Sequence, residues 1–152
     1  MDTSNHKERL VNSLQEILQK NYDAEEGLKH VMQKTDSPVL KKWLQQKANE
    51  RSGFATEIDS ELKKLGAASK ASGSILGTAH RVWIDVKTAL STNRAETILE
   101  ECIRGDKASV EEYNEQLKAP YMAGSVIEVL TNQKAKVERS LLTFKRLEDL
   151  VD

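Results

Sequence analysis

The sequence predicts an all-α protein, a bundle of four long helices with a further helical segment carrying the chain from the second to the third. Three observations predict it. Apolar residues recur at every third or fourth position over long stretches, the spacing that lines one face of an α-helix. No stretch alternates apolar and polar residues as a strand would, and no internal repeat or low-complexity run is present. Turn-forming residues gather between the periodic stretches, at Thr35 to Pro38, Ala67 to Ser74, Ser91 to Asn93 and Lys118 to Pro120.

The first helix is expected to start near Thr3 or Ser4 and run to about Lys34, with Leu10, Leu14, Ile17, Leu18, Leu28, Val31 and Met32 on its apolar face. Asn21 and Glu25 interrupt that face. Asp36 or Ser37 caps the second helix and Pro38 fits its first turn, so the two helices are joined by a very short link and lie antiparallel. The second helix, about 38–65, carries Leu40, Leu44, Ala48, Phe54, Ala55, Ile58, Leu62 and Leu65, interrupted at Arg51. Gly66 marks its end.

Residues 72–91 have helical spacing of their own, in Ile75, Ala79, Val82, Val86 and Leu90, and form the crossover. At roughly 19 residues it would span about 28 Å, enough to return the chain from one end of a bundle to the other. The third helix, about 94–118, can be capped by Thr92 or Asn93 and carries Ala95, Ile98, Leu99, Cys102, Tyr113 and Leu117, with Asp106 and Ser109 on the same side. Pro120 ends it. The fourth begins between Pro120 and Ser125 and carries Val126, Val129, Leu130, Val137, Leu141, Phe144, Leu147 and Val151, interrupted at Gln133. Gly27, Gly53 and Gly105 lie inside helices, where close backbone approach is the expected reason for them.

The 152 residues fit one domain, 1–152, with a single sizeable core. Charged residues are 31% and hydrophobic ones 38%, as in a helix-rich soluble protein. A formal net charge of -1 lacks the basic excess that nucleic-acid binding needs. No apolar run approaches the ~20 residues of a membrane span, and the N-terminal residues lack a signal peptide's apolar region. Cys102, the single cysteine, suits a reducing compartment, so a cytoplasmic location is expected. It lies on the apolar side of its helix without a basic neighbour, as a buried inert thiol does.

Short links at both ends and one long crossover give up-down-down-up order, the ferritin-like arrangement. Pairing the helix ends places Asn21, Arg51, Asp106 and Gln133 at one level of the core. Two readings of that layer follow. Ferritin-like bundles often hold two metal ions there, on one Glu from each of two helices and a Glu-x-x-His pair from each of the other two. Glu25, Glu50, Glu101 and Glu138 are near the level, but the positions three after Glu50 and Glu138 are Gly53 and Leu141. His6, His30 and His80 are elsewhere. Arg51 would bring fixed positive charge to the cations' place. The favoured reading is a structural polar layer, in which Asp106 or Glu25 and the amides of Asn21 and Gln133 hold Arg51. No metal is favoured, and iron is the alternative.

The crossover carries Ser72, Gly73, Ser74, Gly77, His80, Arg81, Trp83 and Lys87 in the pattern S-G-S-x-x-G-x-x-H-R-x-W-x-x-x-K. This resembles a bacterial domain-of-unknown-function family of ferritin-like four-helix-bundle proteins. The resemblance extends to Asp23 to Gly27, Arg51 with Phe54 and Ala55, Leu65-Gly66, Ile98 to Cys102 with Gly105, Gln133 and Val137. It implies a fold and no particular reaction. His80 and Arg81 are expected to fasten the crossover to the bundle, and Trp43 and Trp83 to be core or subunit contacts.

Three functional classes remain. The first is a non-enzymatic, self-associating bundle, a dimer for instance, with an interaction or stress-related role. The second is a divergent di-iron carboxylate protein (oxidase, peroxide-scavenging or iron-handling) using the four glutamates. The third is a lipid- or ligand-binding bundle, which would want an apolar cavity where the polar layer stands.

Overall fold

The computed structural model describes residues 3–69 and 94–151 of the chain. Four helices run through them: α1, Thr3–Lys34; α2, Pro38–Lys64; α3, Ala95–Leu117; and α4, Ser125–Val151. The expected crossover at 72–91 lies outside the described residues, and with it the whole motif from Ser72 to Lys87.

Local chemistry sets each boundary. Ser37 is extended, and its Oγ accepts from the Leu40 amide at 3.2 Å, with Pro38 opening α2. At the other end of α2, Gly66 adopts φ 75°, which lets its amide reach the Lys63 carbonyl at 3.0 Å and the Ala67 amide reach Leu62 at 2.9 Å. These two bonds satisfy carbonyls that the last turn would otherwise leave open. Gly124, just before α4, has φ 68°, and its carbonyl accepts from the Ile127 amide at 3.2 Å. Arg94 stands at the cap of α3 and its side chain makes no capping bond. The expected caps, Thr92 and Asn93, precede the described residues.

Cross-helix bonds give the direction of each element. Along α1, Ser13 meets Tyr121 beyond the end of α3, while Lys20 and Asn21 meet Glu112 and Tyr113, so α1 and α3 are antiparallel. Glu61 meets Ser125, Phe54 meets Gln133 and Glu50 meets Ser140, so α2 and α4 are antiparallel too. The Thr35–Ser37 link is too short for anything but an antiparallel α1–α2 hairpin. Hence α2 and α3 run the same way, and the order is up-down-down-up. Reversing direction between α1 and α2 but not between α2 and α3 requires a long return path.

The core is in two apolar parts. One holds Leu10, Leu14, Ile17, Leu18, Phe54, Ile58, Leu62, Tyr113, Met122, Val126 and Leu130. The other holds Leu28, Val31, Leu40, Leu44, Ile98, Leu99, Cys102 and Phe144. Asn21, Arg51 and Asp106 fall between them on α1, α2 and α3. Gly53 is exposed, with nothing within 4 Å of where a Cβ would stand, so close approach is not its reason; Gly27 and Gly105 are buried. Among the described residues no helix is long and apolar enough to cross a membrane.

Candidate functional site: a polar belt through the bundle

A helix stripe that is apolar except at one position must bury that position with its neighbours. Asn21, Arg51, Asp106 and Gln133 are all buried, with relative exposures of 1%, 4%, 3% and 1%. Burial at that depth demands partners. Arg51 donates from Nη1 to Asn21 Oδ1 at 3.0 Å, and from Nη2 to Asp106 Oδ1 and Ser109 Oγ, each at 3.0 Å. Asn21 Nδ2 donates to the Ile17 carbonyl at 3.0 Å and to the Tyr113 hydroxyl at 3.1 Å. That hydroxyl donates to Gln133 Oε1 at 2.7 Å, and Gln133 Nε2 donates to the Phe54 carbonyl at 3.2 Å and to Glu57 Oε1 at 3.0 Å.

The direction of every bond in this chain follows from its ends. A guanidinium only donates and a carboxylate only accepts. Asn21 must therefore turn its oxygen to Arg51 and its nitrogen to Tyr113, and Gln133 its oxygen to Tyr113 and its nitrogen to Glu57. The belt starts on α2, crosses α1, α3 and α4, and returns to α2 between about one and two turns further on. It slants, because Gln133 bonds at Phe54 and Glu57, about 5 and 9 Å along the helix from Arg51 at 1.5 Å per residue.

The residues predicted for this level meet in part differently from expectation. Gln133 is linked to Arg51 through Tyr113 and Asn21, and the apolar pattern of α3 concealed the Tyr113 hydroxyl. Glu25 does not hold Arg51; it pairs with Lys29 at 2.7 Å, one turn along its own helix. The position four residues on is a shorter reach than the bundle centre.

Burial also moves the acids. Asp106 is pushed up to about 6 by desolvation, which outweighs the charge and hydrogen bond of Arg51. Tyr113 is pushed up to about 12 by burial, against the pull of Arg51 and Asn21. Burial raises the Cys102 thiol well above its ordinary value, with the Asp106 and Glu101 charges adding to it, so it stays protonated and unreactive. Asp106 Oδ2 is buried with no hydrogen-bond partner among the described residues, as is Trp43 Nε1. Trp43 stands edge-on to Phe144 at 6.0 Å, with Lys47 Nζ 4.4 Å from its ring centre.

The donors at this level do not fit a metal pair. A buried guanidinium stands between α1, α2 and α3, and the groups bonded to it include two neutral oxygens and one carboxylate oxygen. The alternative ligands are dispersed: Glu50 accepts from Ser140 at 3.2 Å, Glu101 is bonded by Arg104, and Glu138 is exposed. Among the described residues no three His, Cys, Asp or Glu side chains converge as an ion would require.

A family profile described as Domain of unknown function (DUF2383) matches residues 9–119. No curated protein matches the sequence. Among solved structures, a mutant of Dps1 from Mycobacterium smegmatis superposes with a TM-score of 0.80 at 14% identity, covering 95% of this chain and 97% of that one. At that identity the likeness concerns the fold alone, and the fold is ferritin-like.

Proposed function

The chain belongs to the DUF2383 family of domains of unknown function, and on that premise we propose that it is a non-catalytic ferritin-like bundle. Its centre sets helix register, and its outer surface meets protein partners, a second copy of the chain among them. One observation carries this: the Arg51 guanidinium, buried and bonded to three side chains, stands where a working carboxylate site would need anionic oxygens. The belt also fills the middle of the bundle with bonded side chains, which leaves a lipid or other apolar ligand a poor fit there. That Cys102 is the single cysteine, so that no disulfide can form within the chain, supports placing the protein in a reducing, cytoplasmic setting.

The competing reading is iron handling by Glu25, Glu50, Glu101 and Glu138. Protein purified without chelator is assayed for metal, then titrated with Fe(II) while oxygen is followed. The structural reading expects metal well below one equivalent and oxygen uptake no faster than from iron alone. Stoichiometric iron that Glu50→Ala abolishes would overturn it. Sedimentation equilibrium on the same sample tests self-association, which a mass of one chain at all concentrations would refute.

A further inference from the structure

The two buried charged members of the belt are unequally satisfied. Arg51 spreads its donors over Asn21, Ser109 and Asp106. Asp106 receives Arg51 at Oδ1 only, and its buried Oδ2 has no partner among the described residues. A buried carboxylate keeps its charge when several donors replace the water it has lost. One guanidinium nitrogen on one oxygen is a thin replacement.

The surroundings do not make up the difference. From α2, Arg51 and Lys47 favour the ionised form and Glu50 opposes it. Lys47 itself is drawn toward Glu50, 3.6 Å away, and the Trp43 ring. Along α3 the titratable neighbour one turn back is Cys102, which is protonated and buried, and Tyr113 lies two turns on. From α1 and α4 the belt receives the uncharged amides of Asn21 and Gln133.

From this arrangement we infer that Asp106 is a proton-operated switch: in the folded protein it takes up a proton from mildly acidic solvent, turning the Arg51–Asp106 ion pair into a charge–dipole contact and firming the core. The direction follows from linkage. Desolvation raises the folded carboxyl to about 6, above an unfolded value of about 3.9. A group raised in this way contributes stability that is fully present below the unfolded value and is lost as pH rises through the folded one. Mild acid, which weakens most ion-paired folds, therefore strengthens this one at its centre.

The inference rests on the structural layer proposed above, and its test is separate. Carbon-13 NMR follows the Asp106 side-chain carboxyl of the full chain from pH 8 to 4, assigned through its own backbone, so no variant is required. The expected midpoint lies near pH 6 with the chain folded throughout; a midpoint at about 4, ordinary for aspartate, would overturn the switch while leaving the layer intact. Urea unfolding adds a second readout. The wild type should gain midpoint relative to Asp106→Asn between pH 7.5 and 5.5, and an unchanged difference would count against the switch. Iron found at the centre would instead sink the layer, whatever the titration showed.

Discussion

Arg51 and Asp106 meet across 3.0 Å in the middle of the bundle, joining α2 to the helix that runs parallel to it. The two side chains are 5% and 4% exposed. Such a pair is held by the balance between desolvation and mutual attraction, and it fails badly when one member goes. Arg51→Ala is expected to destabilise the fold by roughly 3–5 kcal/mol at pH 7.5, where Asp106 is ionised and would be left buried without its guanidinium. Urea denaturation measures it, and a change under about 0.5 kcal/mol would mean the belt holds nothing together. Replacing both residues by apolar ones of similar size, Arg51→Met with Asp106→Leu, should cost far less than the sum of the single changes.

Tyr113 joins the two halves of the belt, and its removal can be isolated. Tyr113→Phe keeps the ring within the apolar part of the core and deletes the hydroxyl. Asn21 Nδ2 retains the Ile17 carbonyl, but Gln133 Oε1 loses its donor while buried. The expected loss is about 1–3 kcal/mol, the cost of one buried unsatisfied acceptor. Tyr121→Phe serves as the comparison. Its hydroxyl meets Ser13 at 2.7 Å in a half-buried place that water can enter, so a loss nearer 1 kcal/mol is expected. Equal losses for the two would mean that Tyr113 is no special bridge.

The contrast between Tyr113 and its neighbours shows what the sequence could and could not reveal. Helix ends announce themselves through local chemistry, as Ser37-Pro38 and Leu65-Gly66 do, and α1, α2 and α4 start and stop within the expected residues. Asn21, Arg51 and Gln133 stand out because each breaks an apolar stripe. Tyr113 breaks nothing: an aromatic ring belongs on such a stripe, and only the folded bundle decides where its hydroxyl points. Lys29 drew Glu25 away from the centre by a contact one turn along the helix, which competes with any longer reach. Gly53 misled for a similar reason, since a glycine inside a helix looks the same in sequence whether it faces a neighbour or water.

Gly53 and Gly66 should respond to the same substitution with opposite signs. Gly53 is exposed inside α2 with open space around a would-be Cβ, so Gly53→Ala reduces the freedom of the unfolded chain without a clash. A gain of about 0.5–1 kcal/mol is expected. Gly66 sits at φ 75°, which an alanine adopts only at a cost. Gly66→Ala should therefore lose about 1–2 kcal/mol. Thermal unfolding of the two variants beside the parent checks the pair; two losses would mean that α2 does not continue through Gly53 as described.

Glu61 gives the acid side of the pH profile. It is buried at the end of α2, where Ser125, at the start of α4, and Lys64 donate to its carboxylate. A negative charge beside the first turn of a helix also suits that helix's open amides. Burial pushes this carboxyl upward, but the bonds from Lys64 and Ser125 and the charge of Lys64 outweigh it, and the net displacement is downward. A group lowered in the folded state contributes stability that is present above its unfolded value, about 4.3, and is lost as pH falls through the folded one. This is the reverse of Asp106. Stability should accordingly rise from pH 7.5 to about 5.5 as Asp106 takes its proton, then fall below about 4 as Glu61 takes its own. Glu61→Gln should make the lower limb shallower, Asp59 being lowered too by its bonds from Ser69 and Lys63, and should leave the upper limb untouched, as read from urea midpoints across the series. A variant that flattened both limbs would show that the two acids do not act independently, although they sit in different parts of the core.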